Sequence, residues 1–263
     1  MVLRCFDPIE RAAEIKSVVT KLEDGVELRK YYRFRPSRFY GGSAVADTVG
    51  CNLSCGFCWG WRVNAKINEV GEFYTPRYVA EKLINMALEH GYKYVRISGG
   101  EPTLSFAHLV EVLREFERRI KGKNIIFILE TNGTIIGSDR VYAKTLSEFK
   151  SLHVRVSIKA CNEKKFQEIT GACAEFFNLQ LKALKFLLDY GVSCHPALVV
   201  SFCEKDELEH LMDRLSEIDP KLPYELELEY VILYPHVIEL LRRRGLKPRV
   251  CIDPRTWRVI EYP

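Results

Sequence analysis

Apolar positions along this chain follow two alternating rhythms, short β-rich runs and longer stretches with helical spacing, and the alternation predicts the order of elements. Candidate strands fall at 43–49, 94–98, 125–131, 153–159, 193–200 and 225–233. The clearest helix opens at Thr75-Pro76, a hydroxyl N-cap followed by proline at the first helical position. It carries Val79, Leu83 and Ala87 on one face and stops at Gly91. A second runs over 105–121, with Leu109, Val110, Leu113, Phe116 and Ile120 at helical spacing and Gly122 just beyond. A third covers 176–190 before Gly191, and a fourth, 205–218, repeats Leu208, Leu211, Leu215 and Ile218 ahead of Pro220.

Strands that alternate with helices imply parallel strands joined by right-handed crossovers, an α/β fold arranged as an open sheet or a barrel. Catalytic groups then belong at the carboxyl ends of the strands. The core is expected over 43–234, with an N-terminal extension at 1–42. Residues 235–263 form a C-terminal extension packing on the core: a helical piece through Arg244, then Gly245, Pro248 and Pro254.

Composition narrows the class without naming a function. With 263 residues, 47% hydrophobic and 28% charged, the chain is long enough for one large globular α/β domain or for two small ones. It has no run of about 18 apolar residues that could span a membrane. The start, Met1-Val2-Leu3-Arg4-Cys5, meets charge at once and does not read as a secretory signal, so a cytoplasmic protein is expected. A net charge of +4 is weaker than the footprint of a dedicated nucleic-acid binder. The basic runs at 29–35 and 242–244 read first as solvated faces; either could instead meet phosphates or an acidic electron-transfer protein.

Nine cysteines in such a chain argue against a disulfide framework. Cys5, Cys161, Cys173, Cys194, Cys203 and Cys251 show no short paired spacing and are expected as buried thiols. A second cluster or a radical relay at Cys161 and Cys173 lacks the four thiolates such a site uses. The other three form Cys51-x3-Cys55-x2-Cys58, directly after the first candidate strand. Three thiolates leave one iron of a four-iron cluster without a protein ligand. The alternative, a zinc knot, needs a second cysteine pair, and none is visible.

The triplet, with Phe57 before its last cysteine, resembles the signature of the radical S-adenosylmethionine (radical SAM) enzymes. Ser98-Gly99-Gly100-Glu101-Pro102-Thr103, after the second strand, is similar to that family's GGEP motif, which binds the methionyl amino group of the cofactor. Glu130-Thr131-Asn132-Gly133 resembles the polar turn used near the ribose and methionine. Ser157-Ile158-Lys159 stands where relatives place a polar residue for the ribose or the methionine carboxylate, and His195-Pro196-Ala197-Leu198 where they touch adenine. The resemblance implies a partial (β/α)6 barrel of parallel strands. It also implies a [4Fe-4S] cluster on Cys51, Cys55 and Cys58, and S-adenosylmethionine held by Phe57, Gly99, Gly100, Glu101, Thr131, Asn132, Ser157, Lys159 and His195.

The activity so implied is reductive cleavage of S-adenosylmethionine to methionine and a 5′-deoxyadenosyl radical, which abstracts hydrogen from a substrate. A low-potential donor such as ferredoxin or flavodoxin supplies the electron. Phe166-x3-Thr170-Gly171 and residues 184–188 look like the activating enzymes of glycyl-radical proteins, such as the pyruvate formate-lyase activating enzyme. Those relatives commonly carry Asp-x-Lys where this chain has Ser157-Ile158-Lys159. Three readings follow: an enzyme acting on a small molecule or nucleotide, an activase acting on a partner protein, and a non-catalytic metal module, which the Gly99-Gly100-Glu101 match disfavours. Trp59 and Trp61 flank the cysteine loop and either cover it or pack in the core.

Overall fold

The computed structural model describes residues 5–262; residues 1–4 and 263, the outermost positions of the two expected extensions, lie outside the described residues. Among the described residues twelve strands are present: β1 Thr20–Glu23, β2 Val26–Ser37, β3 Ser43–Thr48, β4 Glu72–Tyr74, β5 Tyr94–Gly99, β6 Ile126–Thr131, β7 Leu152–Ile158, β8 Ser193–Val199, β9 Glu227–Glu229, β10 Val231–Ile232, β11 Val250–Ile252 and β12 Val259–Glu261. The main sheet runs β1-β2-β3-β5-β6-β7-β8-β9, with β4 also paired to β2. From β3 to β9 every pairing is parallel and in chain order. That arrangement is the partial, open (β/α)6 barrel.

Strand alternation sorts the sheet into two faces. On one, Ala44, Ala46, Val95, Ile97, Phe127, Leu129, Val154, Val156 and Leu198 are buried in a core shared with helix residues Leu83, Leu113, Phe116 and Leu184. Phe116 meets Phe127 edge-on at 5.1 Å between ring centres. Burying each such side chain contributes roughly 1.5–3 kcal/mol, which seats the helices on the sheet. The crossover helix Pro76–Glu89 is started by Thr75, whose hydroxyl accepts the Tyr78 N–H at 3.2 Å. The other crossovers include Phe106–Arg119, Phe177–Asp189 and Lys205–Ile218. The opposite face carries Asp47, Arg96, Ser98, Glu130, Arg155 and Ser157, with Val45 and Ile128 among them, and forms the lumen.

Three expectations need correction. The run 225–233 is not one strand: it breaks at Tyr230, so β9 closes the main sheet while β10 joins a small sheet with β11 and β12. The basic run 29–35 is not a solvated face. It lies within β2, antiparallel to β3, and Arg29, Lys30 and Tyr31 are buried. The six scattered cysteines are not all thiols: Cys5 pairs with Cys173 and Cys161 with Cys203 in disulfides, while Cys194 and Cys251 are buried and free. These disulfides also remove Cys161 and Cys173 as ligands or relays.

No helix among the described residues is long and apolar enough to cross a membrane. The disulfides bracket the helix Glu163–Thr170, one just before it and one just after. Replacing Cys161 and Cys203 together by alanine is expected to lower unfolding stability by roughly 2–4 kcal/mol. A guanidinium titration measures it, and a wild-type midpoint unmoved by reductant would contradict the pairing.

Candidate active site

The cysteine loop leaves the end of β3 and is held from several sides. The Gly50 N–H donates to Asn64 Oδ1 at 3.0 Å. The Ser54 and Gly56 N–H groups donate to the carbonyls of Thr170 and Ile169 at 3.0 and 2.9 Å, the last residues of the bracketed helix. Arg244 reaches in from the C-terminal helix Pro235–Arg244 to the Ser54 carbonyl at 3.0 Å. Asn52, fully buried, donates to the Pro8 carbonyl and the Thr134 hydroxyl and accepts from Asn132 at 2.8 Å. Loop backbone with no ladder partner has found other acceptors, as buried N–H groups must.

The turn after β5 lies against this loop with almost no clearance. The Gly100 N–H donates to the Thr48 carbonyl at 2.9 Å and the Glu101 N–H to the Gly50 carbonyl at 2.7 Å. A Cβ on Gly100 would stand 2.1 Å from the Gly50 oxygen, and Gly99 has φ of 96° with a Cβ position 2.8 Å from the Thr48 nitrogen. Glycine is therefore required at both positions.

Glu101 is buried, and its carboxylate is fully engaged within the protein. One oxygen accepts the Thr103 N–H at 3.0 Å and the hydroxyls of Thr103 and Thr131 at 2.6 and 2.7 Å. The other accepts the Asn132 N–H at 2.7 Å. The side chain thus ties the end of β5 to the end of β6, leaving the strand-end backbone to face a ligand. Gln180 does similar work one strand on, donating to the carbonyls of Asn132 and Ser157 at 2.6 and 2.9 Å and accepting the Lys159 N–H at 3.1 Å.

These turns converge on one cavity of about 440 Å³. It is lined by Cys51, Cys55, Phe57 and Cys58, by Gly99, Gly100 and Glu101, and by Thr131, Asn132, Ser157 and Lys159. Phe57 packs on Phe202 at 5.8 Å, and Lys159 Nζ lies 2.5 Å from the Ser157 hydroxyl. His195 is not among the lining residues. It has the correct strand face but sits four residues below Val199, roughly 13 Å down the strand. There it contacts His153 at 2.6 Å and Glu227 at 3.2 Å.

The lumen also carries side chains that motif reading missed. Arg33 and Arg35 of β2 pair with buried Asp47, Arg96 with Glu130 at 2.7 Å, and Arg155 with Glu227 and Glu229 at 2.8 and 2.9 Å. Burial lowers the Arg155 pKa, but Glu229 and Glu227 outweigh it and the net shift is upward. Glu227, pushed up by burial, is held at about 2 by His195 and Arg155. The signal was available: Val95-Arg96-Ile97-Ser98 and Val154-Arg155-Val156-Ser157 put a polar residue at every second position, where a parallel strand covered on both faces would be apolar throughout.

Comparison with known proteins agrees with this geometry. The sequence profile of the radical SAM superfamily matches residues 45–215. The chain belongs to the radical SAM superfamily. It is 29% identical over 190 residues to the probable GTP 3′,8-cyclase of Pyrococcus horikoshii, an alignment covering 70% of this chain and 55% of that one. The chain thus spans about half the length of that curated relative. The fold is shared with Streptococcus suis SuiB bound to precursor peptide SuiA, with TM-score 0.53, 21% identity, 66% of this chain and 36% of that one. It is shared too with anSMEcpe bound to AdoMet and the Cp18Cys peptide, with TM-score 0.52, 21% identity, 71% of this chain and 49% of that one.

Radical SAM proteins use a [4Fe-4S] cluster and S-adenosylmethionine, and the residues present fit both. Burial pushes the Cys55 thiol up to about 12 and raises those of Cys51 and Cys58. Such thiols ionise only when a cation replaces the lost solvation, which iron supplies. Among the described residues no three His, Cys, Asp or Glu side chains converge on a single ion. A cluster does not require that, because each thiolate binds a different iron. Lys159 makes no ion pair among the described residues and faces the cavity, so it can meet a carboxylate.

Two substitutions test the turn. Glu101→Gln places an amide N–H against a buried donor and should cost about 1–3 kcal/mol, read from thermal unfolding, together with weaker S-adenosylmethionine binding in equilibrium dialysis. Gly100→Ala should abolish that binding, since its Cβ meets backbone on the cysteine loop.

Proposed function

We propose that this cavity cleaves S-adenosylmethionine reductively and directs the product radical to a C–H bond of a small polar molecule or nucleotide. The observation that carries the reading is the convergence on one cavity of three free cysteines, the Gly99-Gly100-Glu101 turn and a charged lumen. When bound, the cluster and S-adenosylmethionine supply the electron transfer and the 5′-deoxyadenosyl radical. The protein's own residues bind, orient and exclude water.

In this reading Cys51, Cys55 and Cys58 are the cluster ligands. The Gly99–Gly100 backbone receives the ammonium of the cofactor, with Glu101 fixing the turn. Thr131 and Asn132 border the ribose, Ser157 and Lys159 take the methionine carboxylate, and Phe57 packs beside the cluster. A low-potential carrier such as ferredoxin or flavodoxin supplies the electron. The paired arginines and carboxylates of the lumen suit a polar substrate, because their geometry is fixed before anything binds. The nucleotide option draws support from the named relative of Pyrococcus horikoshii. The activase option draws none from these relatives.

Anaerobic reconstitution, followed by dithionite and S-adenosylmethionine, should yield 5′-deoxyadenosine by liquid chromatography. Cys51→Ala, Cys55→Ala or Cys58→Ala should each abolish it. A cysteine variant with undiminished 5′-deoxyadenosine formation would sink the assignment.

A further inference from the structure

The positive charge of the chain is concentrated at one end. Residues 235–263 hold seven lysines and arginines against three aspartates and glutamates, a balance of +4 that equals the net charge of the entire chain. Everything before residue 235 is neutral in sum. This cationic segment is folded onto the cavity rim, where Trp257 and the preceding Tyr234 line the opening. The Trp61 indole N–H donates to the His236 carbonyl at 2.9 Å, and His236 Nε2 lies 2.9 Å from the Trp59 carbonyl.

All three tryptophans of the chain stand in this region, each beside arginine. Arg33 lies 5.4 Å from the Trp59 ring, and Arg62 and Arg243 lie 5.6 and 5.5 Å from the Trp61 ring. Trp257 occupies the turn between β11 and β12, flanked by Arg255 and Arg258. Trp59 and Trp257 both line the cavity yet are 42% and 58% exposed. Trp257 also has φ of 56°, and Tyr40, another lining residue, φ of 61°. Left-handed backbone under a bulky side chain is an outlier, and such outliers cluster at ligand sites.

We propose that this rim docks a single-stranded nucleic acid, which lays phosphates along the cationic segment and stacks one base on Trp257 at the cavity mouth. The proposal rests on the hydrogen-abstraction reading of the cavity and names its substrate: a nucleotide presented within a strand. Guanidiniums interleaved with exposed rings form a stacking platform joined to an electrostatic track. An acidic electron carrier would use the cations alone, since steering needs charge and not rings. The aromatic half of the rim therefore favours the strand.

Anisotropy of a fluorescein-labelled oligouridylate, titrated with the anaerobically reconstituted protein, tests this. Log affinity should fall linearly with log salt between about 50 and 200 mM, with a slope near −0.7 for each phosphate neutralised. Arg242→Glu combined with Lys247→Glu, both exposed, should weaken binding and flatten that slope. Trp257→Gly suits the left-handed backbone, so the fold should persist while affinity drops about 5- to 150-fold, the range for one lost stacked base. Affinity unchanged across the salt range, or full affinity in Trp257→Gly, would overturn the proposal. So would free GTP binding as tightly as the oligonucleotide, or a labelled acidic ferredoxin binding where the oligonucleotide does not. Formation of 5′-deoxyadenosine with dithionite, measured without any oligonucleotide, reports on the proposed chemistry separately.

Discussion

A buried carboxylate needs its charge answered from within the protein, and at Glu101 four donors from two strand ends answer it. That requirement organises the site. Because Thr131 and Asn132 must turn toward Glu101, the Asn132 side chain is delivered to Asn52 of the cysteine loop, and Asn52 in turn to Pro8 and Thr134. One ionised group thereby fixes the relative positions of three segments far apart in sequence. Each hydrogen bond to such a charge contributes about 1.5–3 kcal/mol, enough to hold turns that have no ladder of their own.

The lumen obeys the same rule by pairing. Arg96 and Arg155 are nearly fully buried, and each would be costly alone; Glu130, Glu227 and Glu229 neutralise them at hydrogen-bonding distance. Replacing such pairs with apolar residues is often no less stable, so stability gives little reason for their presence. A lumen of fixed charges is useful where a polar substrate must be oriented against a reactive centre, since the protein dipoles need not reorganise when it arrives.

The sequence carried the parallel strands and their end turns because both obey short-range rules. The strand runs at 43–49, 94–98, 125–131, 153–159 and 193–200 match the observed strands to within a residue or so at each end, and the glycine turn sits where backbone contact demands it. Depth along a strand does not follow from such rules, which is why His195 has the right face and the wrong level. Partners remote in sequence are equally silent. Cys5 and Cys173 are 168 residues apart, and nothing in local spacing selects that pair. Strand β2 was hidden because its arginines, which alternate with Tyr32, Phe34 and Pro36, look like a surface run until Asp47 is seen beneath them.

What the cysteine motif leaves unspecified is the shape of its own loop. Three thiols at the right spacing can ligate only if the backbone between them is held open, and the groups that hold it lie elsewhere. The Ser54 and Gly56 N–H groups rest on the carboxyl end of Glu163–Thr170, and Arg244 caps the Ser54 carbonyl from the other side. That helix is fixed at both ends by disulfides, one to Cys203 near the strand that borders the cavity and one to Cys5 of the N-terminal segment. Cross-links of this kind act mainly by restricting the unfolded chain, yet here they also join the platform under the loop to two distant parts of the fold. In the proposed reading ligand identity therefore resides in Cys51, Cys55 and Cys58, while the geometry that would let them ligate is distributed over the whole barrel.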